Sequence, residues 1–115
     1  MLFRSDAIYF DGARAHVLDW KTGKERDYED QLKLYAAIIL STYMDIEEVT
    51  TEICFIDLNK RVQYTTHKRA DLAGLQQWIT DRIAKIEKDD IFAPKPSFNC
   101  KWCHFRKSNG GPCQW

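Results

Sequence analysis

The stretch His16–Lys24, HVLDWKTGK, decides how this chain is read. It begins as a strand-like run and ends with an acid and a lysine two residues apart, around a tryptophan. Side chains alternate across a strand, so Asp19 and Lys21 point to one face while Leu18 and Trp20 point to the other. A carboxylate and an ammonium emerging together at a strand end can support metal-assisted hydrolysis. The carboxylate suits a hard divalent cation such as Mg²⁺. The lysine then stands near an attacking water and the charge that develops on a phosphate. The plainer reading is a solvated ion pair at a turn. Asp-any-Lys is common, so the rest of the chain must decide.

Upstream, LFRSDAIYF (residues 2–10) reads as a strand, and Asp11-Gly12 as a turn into the partner strand RAHVLDWKT (14–22), closed by Gly23. This hairpin lets Asp6 approach Asp19 across the ladder. Two carboxylates, with the backbone carbonyl of Trp20 as a third ligand, supply the oxygens that a hard cation needs. Downstream, DYEDQLKLYAAIILSTYM (27–44) reads as a helix, with acids at its positive end. Leu32, Tyr35, Ile38 and Ile39 form its apolar face. Gln31 and Tyr35 are four apart and share a face. They could line a phosphate or base beside the metal, although Tyr35 alone also suits a core.

EEVTTEICFIDL (47–58) and RVQYTTH (61–67) predict a second hairpin around Asn59-Lys60. KRADLAGLQQWITDRIAKIEKDD (68–90) predicts a second helix with a buried stripe of Leu72, Leu75, Ile79, Ile83 and Ile86. Pro94 and Pro96 end regular structure. The expectation is an α/β fold: a mixed sheet flanked by two helices over residues 1–93, with a cysteine-rich tail, 94–115, packed on it.

The formal net charge of the 115 residues is zero, which excludes nucleic-acid binding through bulk charge. A local patch remains. From Ile91 to Trp115 there is no Asp or Glu, but there are Lys95, Lys101, Arg106 and Lys107. No apolar run approaches the ~20 residues of a membrane span. The N-terminus lacks the pattern of a secretory signal, and a cytoplasmic protein is expected. Four cysteines in such a chain argue against a disulfide framework. Cys54 reads as a buried free thiol in a strand. Cys100-x-x-Cys103 followed by Cys113 has metal-ligand spacing, with His104, Cys54, His16 or His67 as candidates for a fourth position. Three reduced surface thiols are the alternative.

Taken in order, Asp6, then Asp19 and Lys21 within LDWKTGK, then Gln31 and Tyr35, then Cys100, Cys103 and Cys113, resemble the RecB-type branch of the PD-(D/E)XK nuclease superfamily. That branch includes the RecB and AddB nuclease domains, RecB-like CRISPR-associated nucleases and phage exonucleases. PKPSFNCKWCHF (94–105) is similar to the tail of phage members. The resemblance implies a restriction-endonuclease-like core and a metal-dependent DNA nuclease, of exonuclease type, in a phage-encoded or bacterial cytoplasmic setting. It implies Mg²⁺ or Mn²⁺ on Asp6 and Asp19 with the Trp20 carbonyl, and Lys21 on the water and the phosphate. Gln31 and Tyr35 then orient the site or the DNA.

Family members with an iron–sulfur cluster hold it through four cysteines, one of them ahead of the nuclease core. That segment is not in this sequence, so zinc, a cluster completed from outside it, and a vestigial site all stay open for the tail. The family also places a helix before the first strand, and this sequence opens at the strand itself. That makes self-association, or a recombination-protein partner, part of the expectation. A non-catalytic DNA-binding module on the same fold, and a zinc-ribbon-like interaction protein, are the competing readings.

Overall fold

The computed structural model describes residues 5–59 and 61–114. The expected first strand from Leu2 and the turn residue Lys60 thus fall partly outside the described residues. The elements are β1 (Ala7–Asp11), β2 (Arg14–Lys21), α1 (Glu29–Thr42), β3 (Glu48–Phe55), β4 (Arg61–Lys68) and α2 (Leu72–Glu87). Short 3₁₀ turns follow at Arg69–Asp71, Phe98–Trp102 and Lys107–Asn109. No described helix is long and apolar enough to cross a membrane.

The four strands form one sheet in the order β1-β2-β3-β4. β1 and β2 pair antiparallel, with Asp11 opposite Arg14. The turn therefore falls on Gly12-Ala13, one residue later than Asp11-Gly12. Gly12 carries the left-handed φ of 55° that the tight connection requires. β2 and β3 pair parallel, from Arg14 opposite Glu48 to Lys21 opposite Phe55. A parallel pair needs a crossover, and α1 provides it. β3 and β4 close antiparallel, with Phe55 opposite Arg61. The connection therefore begins at Ile56, and Lys60 in the expected turn lies outside the described residues. The fold class is the expected one: a mixed sheet with helices, α/β.

Alternation along β2 and β3 buries Ala15, Val17 and Asp19, and Val49, Thr51, Ile53 and Phe55. α1 covers this face with Leu32, Tyr35, Ala36, Ala37, Ile39 and Leu40. Ile38, expected inside, is only half-buried. Carbonyls at the end of α1 and in the loop after it are met from β4's exit. The Arg69 guanidinium donates to the carbonyls of Leu40 (3.2 Å), Tyr43 (2.7 Å) and Ile46 (2.7 Å).

α2 behaves differently from its stripe. Leu75 is buried in the cluster under α1, with Leu72 and Ile79 packed partly against it. Ile83 and Ile86 are exposed. Helical spacing reports an apolar face, but burial needs a surface to receive it, and the core cluster ends near Ile79. Cys54 is half-buried on the other face of the sheet, beside the exposed Trp20, because it is out of phase with the inward residues of β3.

The chain packs as two units, Met1–Ala84 and Lys85–Trp115. The division falls inside the last turns of α2. The second unit is a small knuckle of turns. Asn109 donates to the carbonyl of Cys103 at 3.0 Å, Gly111 N–H to that of Arg106 at 3.0 Å, and Cys113 N–H to that of Phe105 at 2.9 Å.

Candidate active site

β2 and β3 run parallel and end together, at Lys21 and Phe55. Ligand sites in open sheets gather at such carboxyl ends. Asp19 is two residues from the end of β2 and faces α1, so its carboxylate is only 5% exposed. A buried carboxylate is costly unless it is paired and hydrogen-bonded. Three side chains answer that demand. Tyr35 OH donates to Asp19 Oδ1 at 3.0 Å. Gln31 Nε2 donates to the Tyr35 hydroxyl oxygen at 2.5 Å. Lys21 Nζ lies 2.5 Å from Asp19 Oδ2.

The expected grouping of Asp19, Lys21, Gln31 and Tyr35 is therefore one connected cluster. The i,i+4 spacing on α1 and the i,i+2 spacing on β2 bring these side chains together. The buried Asp19 Oδ2 is thus held by the Lys21 ammonium.

Asp6 precedes β1, next to the Ala7–Leu18 pair. Its exposed carboxylate accepts the backbone N–H of Trp20 at 2.7 Å, continuing the ladder with a side chain. This anchors Asp6 at the residue that follows Asp19. The Lys21 carbonyl accepts from Ile56 N–H at 3.0 Å, on the β3 side. Trp20's polar groups face the opposite edge, toward Asp6.

Burial acts to lower the Lys21 pKa, yet it stands above the ordinary lysine value. Contact with the Asp19 carboxylate and its field, with smaller contributions from Tyr35 and Tyr28, outweighs the burial. The lysine is an ammonium at neutral pH. Burial raises the Tyr35 pKa; the Gln31 hydrogen bond opposes the rise and the Asp19 contact adds to it.

Sequence reasoning missed the clamp behind the lysine. Lys21 Nζ sits 5.0 Å from the centroid of the Tyr28 ring, which in turn contacts Phe55. Gln63 on β4 accepts from Tyr28 N–H at 3.2 Å and donates to Asp27 Oδ1 at 3.0 Å. Asp27 Oδ1 also accepts from Glu29 N–H at 2.8 Å, a turn just ahead of α1. That backbone contact, then Gln63, holds the Asp27 pKa below its usual value. Asp57 accepts from Gly23 N–H at 2.7 Å and ties the exit of β2 to the β3–β4 connection. Asp27 was visible as a helix-start acid. Gln63 and Asp57 carried no local signal, since their partners lie more than thirty residues away.

Mg²⁺ accepts one or two carboxylates and keeps several waters. The buried Asp19 carboxylate, and the Asp6 carboxylate that accepts the N–H of the following residue, are the groups that could hold such an ion, and Lys21 would have to yield Oδ2 to it. A larger protein cage does not exist here, since no three His, Cys, Asp or Glu side chains among the described residues are grouped to hold a metal. That statement covers the tail too. Cys100, Cys103 and Cys113 are half-buried free thiols. Cys100 Sγ accepts from Ser97 N–H at 3.3 Å.

Beside Gln31, a groove of about 310 Å³ opens between α1 and α2, walled by Trp78 and Arg82. A cavity of about 390 Å³ lies at the far end of the strands, near Arg14 and Arg69, away from this cluster.

Comparison with curated proteins and with solved structures finds no match. The family model of the PD-(D/E)XK nuclease superfamily matches residues 4–108, and the match spans Asp6, Asp19, Lys21, Gln31 and Tyr35. The chain, with its mixed sheet and its acid–lysine strand end, belongs to the PD-(D/E)XK nuclease superfamily.

Proposed function

We propose that this chain is a divalent-metal-dependent deoxyribonuclease of the RecB-like branch, acting from DNA ends in phage or recombination-repair metabolism in the cytoplasm. The observation that carries the reading is the buried Asp19 carboxylate. One of its oxygens accepts from Tyr35 and the other is paired with Lys21, at the end of two parallel strands.

Asp19 and Asp6 would hold Mg²⁺ or Mn²⁺ with the Trp20 carbonyl. The bound ion supplies Lewis acidity and lowers the pKa of water. The chain's own groups do the rest. Lys21 places a fixed positive charge where negative charge grows on the phosphate. Such a preorganised charge acts strongly because it needs no reorganisation during the reaction. Tyr35 and Gln31 hold the carboxylate so that its second oxygen points one way. Tyr28 limits where the ammonium can go.

A metal at the three C-terminal cysteines remains part of the proposal, because thiolates suit zinc or an iron–sulfur cluster. Loading would require the side chains to converge from their present rotamers. Elemental analysis of anaerobically purified protein checks it, with one equivalent of zinc, or the iron of one cluster, as the expected result. Less than about a tenth of an equivalent would remove it.

The second reading is a non-catalytic DNA-binding module on the same fold. The Lys21 ammonium on Asp19 Oδ2, the oxygen a metal would take, favours it. Digestion of end-labelled linear DNA with Mg²⁺ or Mn²⁺ separates the two, with a covalently closed circle as control. The proposal expects the linear substrate to be degraded and the circle spared. Mn²⁺ binding without any cleavage would leave the module.

A further inference from the structure

We infer that the C-terminal knuckle binds single-stranded DNA by stacking bases on Phe98, Trp102 and Phe105. The observation is an inversion of ordinary burial. These rings are 77%, 69% and 69% exposed, although aromatic side chains normally supply a small domain with its core.

The backbone that carries them is held firmly. A Cβ on Gly111 would lie 2.2 Å from the Phe105 carbonyl carbon, so only glycine lets the two segments cross. Phe105 and Arg106 carbonyls accept from Cys113 and Gly111 across that crossing. Ser97 caps the turn Phe98–Trp102 by accepting from Asn99 N–H at 3.3 Å. Rings on a fixed backbone lose little freedom when a flat partner stacks on them.

Charge names the partner. The segment Ile91–Trp115 carries Lys95, Lys101, Arg106 and Lys107 and no acid. Lys101 Nζ stands 5.2 Å over the Trp102 ring, a cation beside a stacking surface. Alternating rings and cations match a strand whose bases are splayed and whose phosphates run alongside. Duplex DNA hides its base faces and offers such rings nothing to stack on. The inference goes beyond the nuclease reading by naming the form of the DNA, and it needs no chemistry at Asp19.

The test is fluorescence anisotropy of a labelled oligothymidylate with the full chain, without added divalent cation. The expected result is binding that weakens about tenfold for Trp102→Ala or Phe105→Ala, the loss of one stacked base. Trp102→Tyr keeps most of the affinity, and a duplex of equal length binds more weakly than the single strand. Variants that bind as tightly as wild type overturn the inference. So does a ring-dependent self-association, seen by sedimentation, with DNA affinity unchanged.

Thermal melting verifies that the variants fold. A photocrosslink from 5-bromouracil DNA to Phe98–Phe105 in the unaltered protein is a check that needs no variant, and crosslinking only elsewhere also overturns the inference. An inactive chain with ring-dependent binding sinks the nuclease reading alone. An active chain indifferent to the rings sinks this inference alone.

Discussion

The strand end around Asp19 and the knuckle around Trp102 treat their functional groups in opposite ways. At the strand end a charged group is buried and every neighbour is committed: Tyr35 to Asp19, Gln31 to Tyr35, Lys21 to Asp19 and to the Tyr28 ring. In the knuckle the backbone is committed and the aromatic rings are open. Burial strengthens electrostatic effects by excluding water, which suits a reaction that develops charge. Exposure suits a surface that must take up and release a long polymer.

The contrast predicts that changes at the strand end alter turnover or stability, while changes in the knuckle alter affinity and its salt dependence. The largest effect is expected from Asp19→Ala. It should abolish metal-dependent cleavage together with divalent-metal binding at this site, read by digestion and by Mn²⁺ titration. Lys21→Ala comes next. Turnover should fall about 10²-fold, the scale of losing one preorganised electrostatic donor, with DNA affinity nearly unchanged. Normal cleavage by a folded Lys21→Ala would break the comparison at its centre.

Tyr35→Phe deletes the donor to a buried carboxylate and leaves Gln31 without its acceptor. It should cost about 1–3 kcal/mol in urea melts, a buried hydrogen bond lost with a partner stranded. Phe105→Ala, a larger truncation at an exposed site, should stay within about 0.5 kcal/mol of wild type. If Phe105→Ala destabilises more than Tyr35→Phe, the knuckle is a packed element and the contrast fails.

Replacing Arg106 and Lys107 with alanine should flatten the dependence of log affinity on log salt by roughly one to two units, from fewer displaced counterions. An unchanged slope would put the phosphates elsewhere.

The smallest effect is expected from acid. Asp27 has a folded pKa below 3.8 because it accepts from Glu29 N–H and Gln63. Its contribution to stability is present above that value and is lost as pH falls through the depressed pKa. Between neutral pH and pH 5, melting temperature should not report this group. Well below pH 4 the Asp27→Asn difference should shrink toward zero.

Sequence alone determined most of the strand end. Period two in β2 put Asp19 and Lys21 on one face, and a four-residue step in α1 put Gln31 and Tyr35 on one face. Both are local geometry and need no knowledge of neighbours. The order of strands and helices followed from the same periodicities, as did the cation-rich tail from composition.

Only the tertiary structure decided what met what. It placed the turn on Gly12-Ala13 and ended the α2 stripe at Ile79, because the core cluster reaches no further. It left Cys54 half-buried, since register rather than hydrophobicity assigns a strand residue its face. It also brought Gln63 and Asp57 to the β2 exit across more than thirty residues of chain. Spacing is a property of one segment. Burial, register and long-range hydrogen bonds belong to pairs of segments, and no single stretch of sequence encodes the partner.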